Sequence, residues 1–227
     1  MAYLGIILCF VPLILCFLIF AIGFKMKVSH LLVAILFGLI AVLPISFIQY
    51  FIPSLPIFLN QPVLHALIRS LLLYGLIEEV IKTVLLLPVP HKEYSELNFL
   101  LLSFIMGLAL GCFESVVYYF DHLQIATFRG AKLLYGQIAM RIVTSDLIHM
   151  TCTGLCGLFV FSCRNKPRSI SPLVMAILLH GIFDFFAGFQ NGLKYFEFAV
   201  VLLAMVECRI KYTSLKNLCE NRLTIFY

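Results

Sequence analysis

Residues 3–24 read YLGIILCFVPLILCFLIFAIGF, a run of 22 residues without one charged side chain. An α-helix crosses the hydrocarbon core of a bilayer with about 20 consecutive apolar residues, so this stretch is long enough to span. No basic residue precedes it, no small-residue cleavage site accompanies it, and it is longer than a signal-peptide apolar region. It is read as a retained first transmembrane helix.

Six further apolar runs follow, at about 29–52, 63–88, 99–120, 138–162, 173–192 and 195–209. The last is short and close to its predecessor, which leaves a tight helical hairpin or one broken element open. Joins are marked by Pro53 and Pro56, by PVPHKEYSELN at 88–98 and by RNKPRSISP at 164–172. Across its 227 residues the chain is 63% hydrophobic and 12% charged, with a mean hydropathy of +1.07. Soluble domains are about a quarter charged and about half apolar, which excludes a globular cytosolic enzyme. The same composition excludes disorder. The expected fold is all-α, a polytopic membrane bundle of about seven transmembrane helices forming a single domain over residues 1–227. No hydrophilic module interrupts the runs, so any chemistry belongs to residues within or beside the lipid bilayer.

The net charge of +5 matters through its placement. With seven crossings and the N-terminus outside, one side receives Lys25, Lys27, Lys92, Arg164, Lys166, Arg168, Arg209, Lys211, Lys216 and Arg222. The other receives only Arg129, Lys132 and Lys194. The positive-inside tendency then puts the C-terminal tail in the cytoplasm and calls for no nucleic-acid partner. Eight cysteines show neither CxxC pairs nor framework spacing, so Cys152 and Cys156, one turn apart, are read as packing residues.

Inside the apolar runs stand Glu78, Glu79, Lys82, Glu114, Arg141, Asp146, His149, His180 and Asp184. A charge near the centre of a membrane helix costs about 2.5–3.5 kcal/mol on the lenient insertion scale, so such groups must face one another, water or a metal. Glu78 and Lys82 are four apart and share a face. Glu79 is turned by about 100° from Glu78, so the two carboxylates are expected to point apart. Glu78, Glu114, His149 and the pair His180–Asp184 come from four different runs at similar depth. Arg141 and Asp146 are read as structural, Lys82 as a structural counter-ion, and Tyr118 and Tyr119 as part of an interfacial belt. His30, His65, His91 and His122 are assigned no role.

Two imidazoles and a carboxylate are the usual ligands of a catalytic divalent metal, zinc above all. A second carboxylate takes the proton of the attacking water, and a metal or cation stabilises the oxyanion. Without a metal, a glutamate still activates water while imidazoles hold the developing charge. Either route hydrolyses a peptide bond inside a membrane. HExxH and GxSxG motifs are absent.

These residues resemble the PrsW family of intramembrane proteases, within the wider group of CAAX prenyl endopeptidases and bacteriocin-processing enzymes. The EExxK motif is met by Glu78-Glu79-Val80-Ile81-Lys82. FxxxE is met at Glu114, with Leu110 where phenylalanine is expected. A single histidine follows at His149, and HxxxD is met by His180-Gly181-Ile182-Phe183-Asp184. The four motifs stand in order across about residues 60–190. The resemblance implies a metalloprotease of the cell membrane with its core at about 60–192. Glu78, Glu79, Glu114, His149, His180 and Asp184 would then be catalytic, and His149, His180 and Glu114 would hold the metal. Its implied substrate is a membrane-anchored protein, with site-1 cleavage of an anti-sigma factor as the family's founding role. The rival reading is a proton-coupled transporter relaying protons along Glu, His and Asp. Against it stands the absence of an internal repeat. A third reading is a catalytically dead scaffold, against which the complete motifs argue.

Overall fold

The structure is a computed structural model that describes residues 2–52, 60–90, 94–129, 131–165 and 168–223. Pro53, Pro56, His91, Lys92 and Lys166 lie outside the described residues, as do the side chains of Arg129, Lys132, Cys219 and Arg222. Helices account for all regular structure in the described residues. The backbone of an apolar chain in lipid has no water to bond, and a helix satisfies its polar groups internally.

The helices are α1 (Ala2–Leu18), α2 (Val28–Phe51), α3 (Pro62–Arg69), α4 (Ile77–Leu86), α5 (Glu96–Arg129), α6 (Ala131–Val143), α7 (Ser145–Asn165), α8 (Ser171–Ala187) and α9 (Phe196–Leu223). A π-helical segment, Ile19–Gly23, prolongs α1, and a second, Ser70–Leu76, joins α3 to α4 without a break. Lys25 takes a left-handed φ of 53° and turns the chain towards α2. Among the described residues four stretches are long and apolar enough to cross a membrane: Tyr3–Gly23, Val28–Phe51, Glu96–Leu123 and Leu134–Arg164.

Each expected run coincides with helix, with two differences. The run at 138–162 is divided at Thr144, where α6 gives way to α7. The final element is not short: α9 continues through Leu223, because its second half is polar and helical at once. Helix ends are set by backbone bonding and hydropathy runs by composition, and the two part company there.

α5 is the central pillar. The outer helices α1 and α2 are largely apolar on their exposed faces, as lipid-facing helices are, whereas α5 and α7 are mostly buried. Gly38 of α2 lies so close to α5 that a Cβ there would stand 2.2 Å from Met106 O. On the opposite side of α5 the spacing Gly107-x-x-x-Gly111 meets α7. A Cβ on Gly107 would fall 2.4 Å from His149 O, and one on Gly111 2.9 Å from Asp146 Cα. Small residues four apart permit this backbone contact in membrane bundles. A third such approach joins the π-helical segment 70–76 to α8. A Cβ on Gly75 would lie 2.4 Å from Ile177 O, and one on Gly181 2.7 Å from Leu71 Cα.

Candidate active site

Glu78 and Glu79 stand in the first turn of α4, directly after the π-helical segment. Such widened turns recur at functional sites. The Gly75–Gly181 approach brings His180 against them. His180 Nδ1 lies 2.6 Å from Glu79 Oε1, and its Nε2 faces Glu78 Oε2 at 3.8 Å. Lys82 Nζ donates to Glu79 Oε1 at 2.7 Å and stands 3.6 Å from Glu78 Oε2. Both carboxylates therefore turn towards one imidazole and one ammonium. The expected divergence does not occur, because flexible glutamate side chains make up the 100° step and lipid offers no partner on the other side.

The remaining glutamate oxygens are also engaged. Glu79 Oε2 accepts from the Cys156 thiol at 3.2 Å, and Glu78 Oε1 accepts from Gln49 Nε2 at 3.2 Å. Gln49 comes from α2 and also donates to Leu73 O at 3.1 Å, tying the outer helix to the π-helical segment.

His149 arrives on α7. The flush packing of α5 on α7 sets Glu114, one turn beyond Gly111, against its ring, and Glu114 Oε2 lies 2.7 Å from His149 Nε2. The other nitrogen, Nδ1, is 3.1 Å from Lys82 Nζ and 3.8 Å from Glu78 Oε2. The rings of His149 and His180 meet edge to face at 4.9 Å. Asp184, one turn after His180, places Oδ2 3.5 Å from His180 Nε2.

A cavity of about 730 Å³ opens beside this cluster, between α5, α6, α8 and the start of α9. Glu114, Arg141 and Asp184 belong to its wall, while Glu79, Lys82, His149 and His180 do not line it. Side-chain exposure divides the acids accordingly, at 38% for Glu114 and 26% for Asp184 against none for Glu79. Tyr118 and Tyr119 line this cavity. Tyr119 is buried, and Tyr118 stacks under Arg141 with the guanidinium carbon 3.9 Å from the ring centroid.

Ligand atoms of Glu78, His149 and His180 all lie within 4.8 Å of one another. That donor set suits a catalytic divalent metal. The far nitrogen of each ring is held by a further carboxylate, Glu114 behind His149 and Glu79 behind His180. Carboxylates in that position orient ligand imidazoles and raise their basicity, so the residues present fit a metal provided Lys82 Nζ, 3.1 Å from His149 Nδ1, gives up that nitrogen. Glu114, expected among the ligands, lies outside this group of three. Its Oε2 occupies the side of His149 that faces away from Glu78.

The model of the PrsW family intramembrane metalloproteases matches residues 27–208, most of the chain. The protein belongs to this family. No curated protein and no solved structure matches it. As a PrsW-family enzyme it is a membrane-embedded protease, a hydrolase whose substrate is a membrane protein. Peptide hydrolysis is thereby favoured over the transporter reading. Leu110, where the motif resemblance expects phenylalanine, packs with Ala41 and Ile45 towards α2, away from the PrsW histidines.

One contributor escaped sequence reasoning. Gln49 is a neutral amide in an apolar run and raised no alarm, although a lone amide in lipid needs a partner just as an acid does. Arg141 was visible as an intramembrane charge, but its partners became known only from the packing of α5 on α7.

Proposed function

We propose that Glu78, His149 and His180 hold a divalent metal, zinc by the character of the donors, at the inner side of a substrate cavity. The ion, when bound, supplies Lewis-acid polarisation and an acidified water. Asp184 lies on the cavity wall beside His180 Nε2, and its carboxylate takes the proton of the attacking water and passes it to the leaving amine. Glu79 holds His180 at Nδ1, Glu114 holds His149 at Nε2, and Lys82 is the counter-ion of the two glutamates.

The cavity admits a segment of a membrane-anchored protein, and site-1 cleavage of an anti-sigma factor is the assigned reaction. The enzyme is a single domain over residues 1–227 with its protease core at about 60–192. It sits in the cell membrane as a multi-pass protein of about seven crossings, N-terminus outside and C-terminus cytoplasmic.

The observation that carries this reading is the convergence of one carboxylate and two imidazoles from α4, α7 and α8 within 4.8 Å. Its test is co-expression of the wild type and of Glu78→Gln, His149→Ala and His180→Ala with a tagged single-span reporter, together with metal analysis of the purified proteins. Cleavage and bound metal are expected in the wild type and in none of the variants. Unchanged cleavage in all three variants overturns the assignment of roles.

A further inference from the structure

Arg141 occupies the last turn of α6 and Ser145 the first position of α7, four residues apart across the break at Thr144. Both reach Glu114. Arg141 Nη2 donates to Glu114 Oε2 at 3.0 Å and to Ser145 Oγ at 2.8 Å, and Ser145 Oγ donates to the same carboxylate oxygen at 3.3 Å. Arg141 Nε donates to Ser115 Oγ at 3.0 Å, and Ser115 donates onwards to the buried Asp146 at 2.9 Å. With Tyr118 covering one face, the guanidinium is held along its edge and from below. A planar fork fixed in this way holds a carboxylate in one orientation, which a flexible ammonium does not.

The consequence falls on His149. Its Nδ1 faces Lys82 Nζ at 3.1 Å, and an ammonium has only protons to give. Its Nε2 faces Glu114 Oε2 at 2.7 Å, and a carboxylate accepts. Those partners select the tautomer with hydrogen on Nε2 and the lone pair on Nδ1, the nitrogen turned towards Glu78. The acceptor at Nε2 stays in place only while Glu114 does. Glu114 borders a cavity large enough for its carboxylate to swing away into it.

We propose that Arg141 is a positioning residue: it clamps Glu114 on His149 Nε2 and so fixes the orientation of the ring whose Nδ1 faces Glu78. The same clamp keeps Glu114 out of the ligand set. This inference rests on the metal reading for its purpose but not for its test.

Metal-free protein carrying ¹⁵N-labelled histidine rings reports the tautomer directly, with His149→Ala used to assign the signals. The wild type is expected to show protonated Nε2 and bare Nδ1 at His149. Because Lys82 still donates to Nδ1, Arg141→Gln is expected to keep that tautomer but to lose the hydrogen bond at Nε2, read as a shift of the Nε2–H signal and faster exchange of its hydrogen, with Arg141→Lys intermediate. Cobalt(II) titration supplies the second readout. Arg141→Gln is expected to weaken binding by about tenfold or more. The double variant with Glu114→Gln should bind no more weakly than Glu114→Gln alone, because the two residues act through one chain. An unchanged Nε2–H signal in folded Arg141→Gln, or additive losses in the double variant, overturns the proposal. Should Arg141→Gln fail to fold, Arg141→Lys decides by the same two readouts, and wild-type behaviour in both overturns it. Wild-type protein that binds no cobalt yet shows an Arg141-dependent Nε2–H signal removes the metal reading and leaves the clamp standing.

Discussion

Glu79 Oε1 meets His180 Nδ1 at 2.6 Å across the interface of α4 and α8, with both side chains buried. The contact orients the ring. An imidazole that gives its Nδ1 hydrogen to a carboxylate turns a bare Nε2 the other way, and here that nitrogen faces Glu78 and Asp184. Glu79 is thus separated from the cavity by the residue it holds.

Glu79→Gln keeps an oxygen able to accept from His180 but loses the charge that Lys82 neutralises. The expected outcome is a folded protein whose metal affinity falls by about 10–100-fold, the usual cost of removing a carboxylate behind a ligand histidine. Glu78→Gln, by contrast, removes a proposed ligand and is expected to abolish stoichiometric binding. Metal titration of the two variants side by side separates holder from ligand, and equal loss in both contradicts the division.

Lys82 is 1% exposed and contacts Glu79 at 2.7 Å and Glu78 at 3.6 Å. Replacing it with methionine leaves two buried carboxylates without a cation. Breaking a buried pair from one side costs about 3–5 kcal/mol. At about 2–4 °C per kcal/mol for a chain of this size, thermal unfolding in detergent should fall by roughly 6–20 °C. A Lys82→Met protein with unaltered melting would show that the ammonium is not the counter-ion of the site.

Much of this site was legible because ionisable groups in apolar runs are costly and so must be gathered. Glu114, His149 and His180 could be named on that ground alone. Their grouping could not. Depth along a helix is readable while azimuth is not, and it is the azimuth that sets Glu114 against Nε2 of His149 while Glu78 faces Nδ1. Glu78 and Glu79 were expected to diverge because backbone periodicity is visible and side-chain torsions are not. The helix break at Thr144 left no hydropathy signal, since the residues on both sides are apolar enough to read as one run.

The glycine contacts predict where bulk is forbidden. Gly107→Leu would press a side chain into His149 O and Thr153, and Gly181→Leu into Leu71. Both should separate helices that carry site residues, lowering melting temperature and metal affinity together. Gly23→Ala is the control, since a Cβ there meets nothing within 4 Å, and it should change neither measurement. Wild-type metal affinity in Gly107→Leu would mean that the α5–α7 approach does not set the position of His149.

Gly136 offers the cleanest test of the cavity as the substrate path. It lines the 730 Å³ space on α6, and a Cβ there meets nothing within 4 Å, so a side chain can be added without disturbing the backbone. Gly136→Ala should be neutral or stabilising by about 0.5–1 kcal/mol, because alanine loses less conformational freedom in a helix than glycine does. Gly136→Trp should fill part of the cavity while leaving Glu78, His149 and His180 untouched. The expected result is therefore a split: cleavage of the single-span reporter falls by at least about tenfold, whereas metal content and melting temperature stay at wild-type values. The magnitude follows from excluding a peptide segment from a site that must hold it close to its reacting groups. Loss of metal in Gly136→Trp would show that the cavity and the ligand cluster are mechanically one unit. Full cleavage would show that the peptide reaches the cluster from another direction, and the apolar slot between α5, α7 and α9 would be the next surface to block.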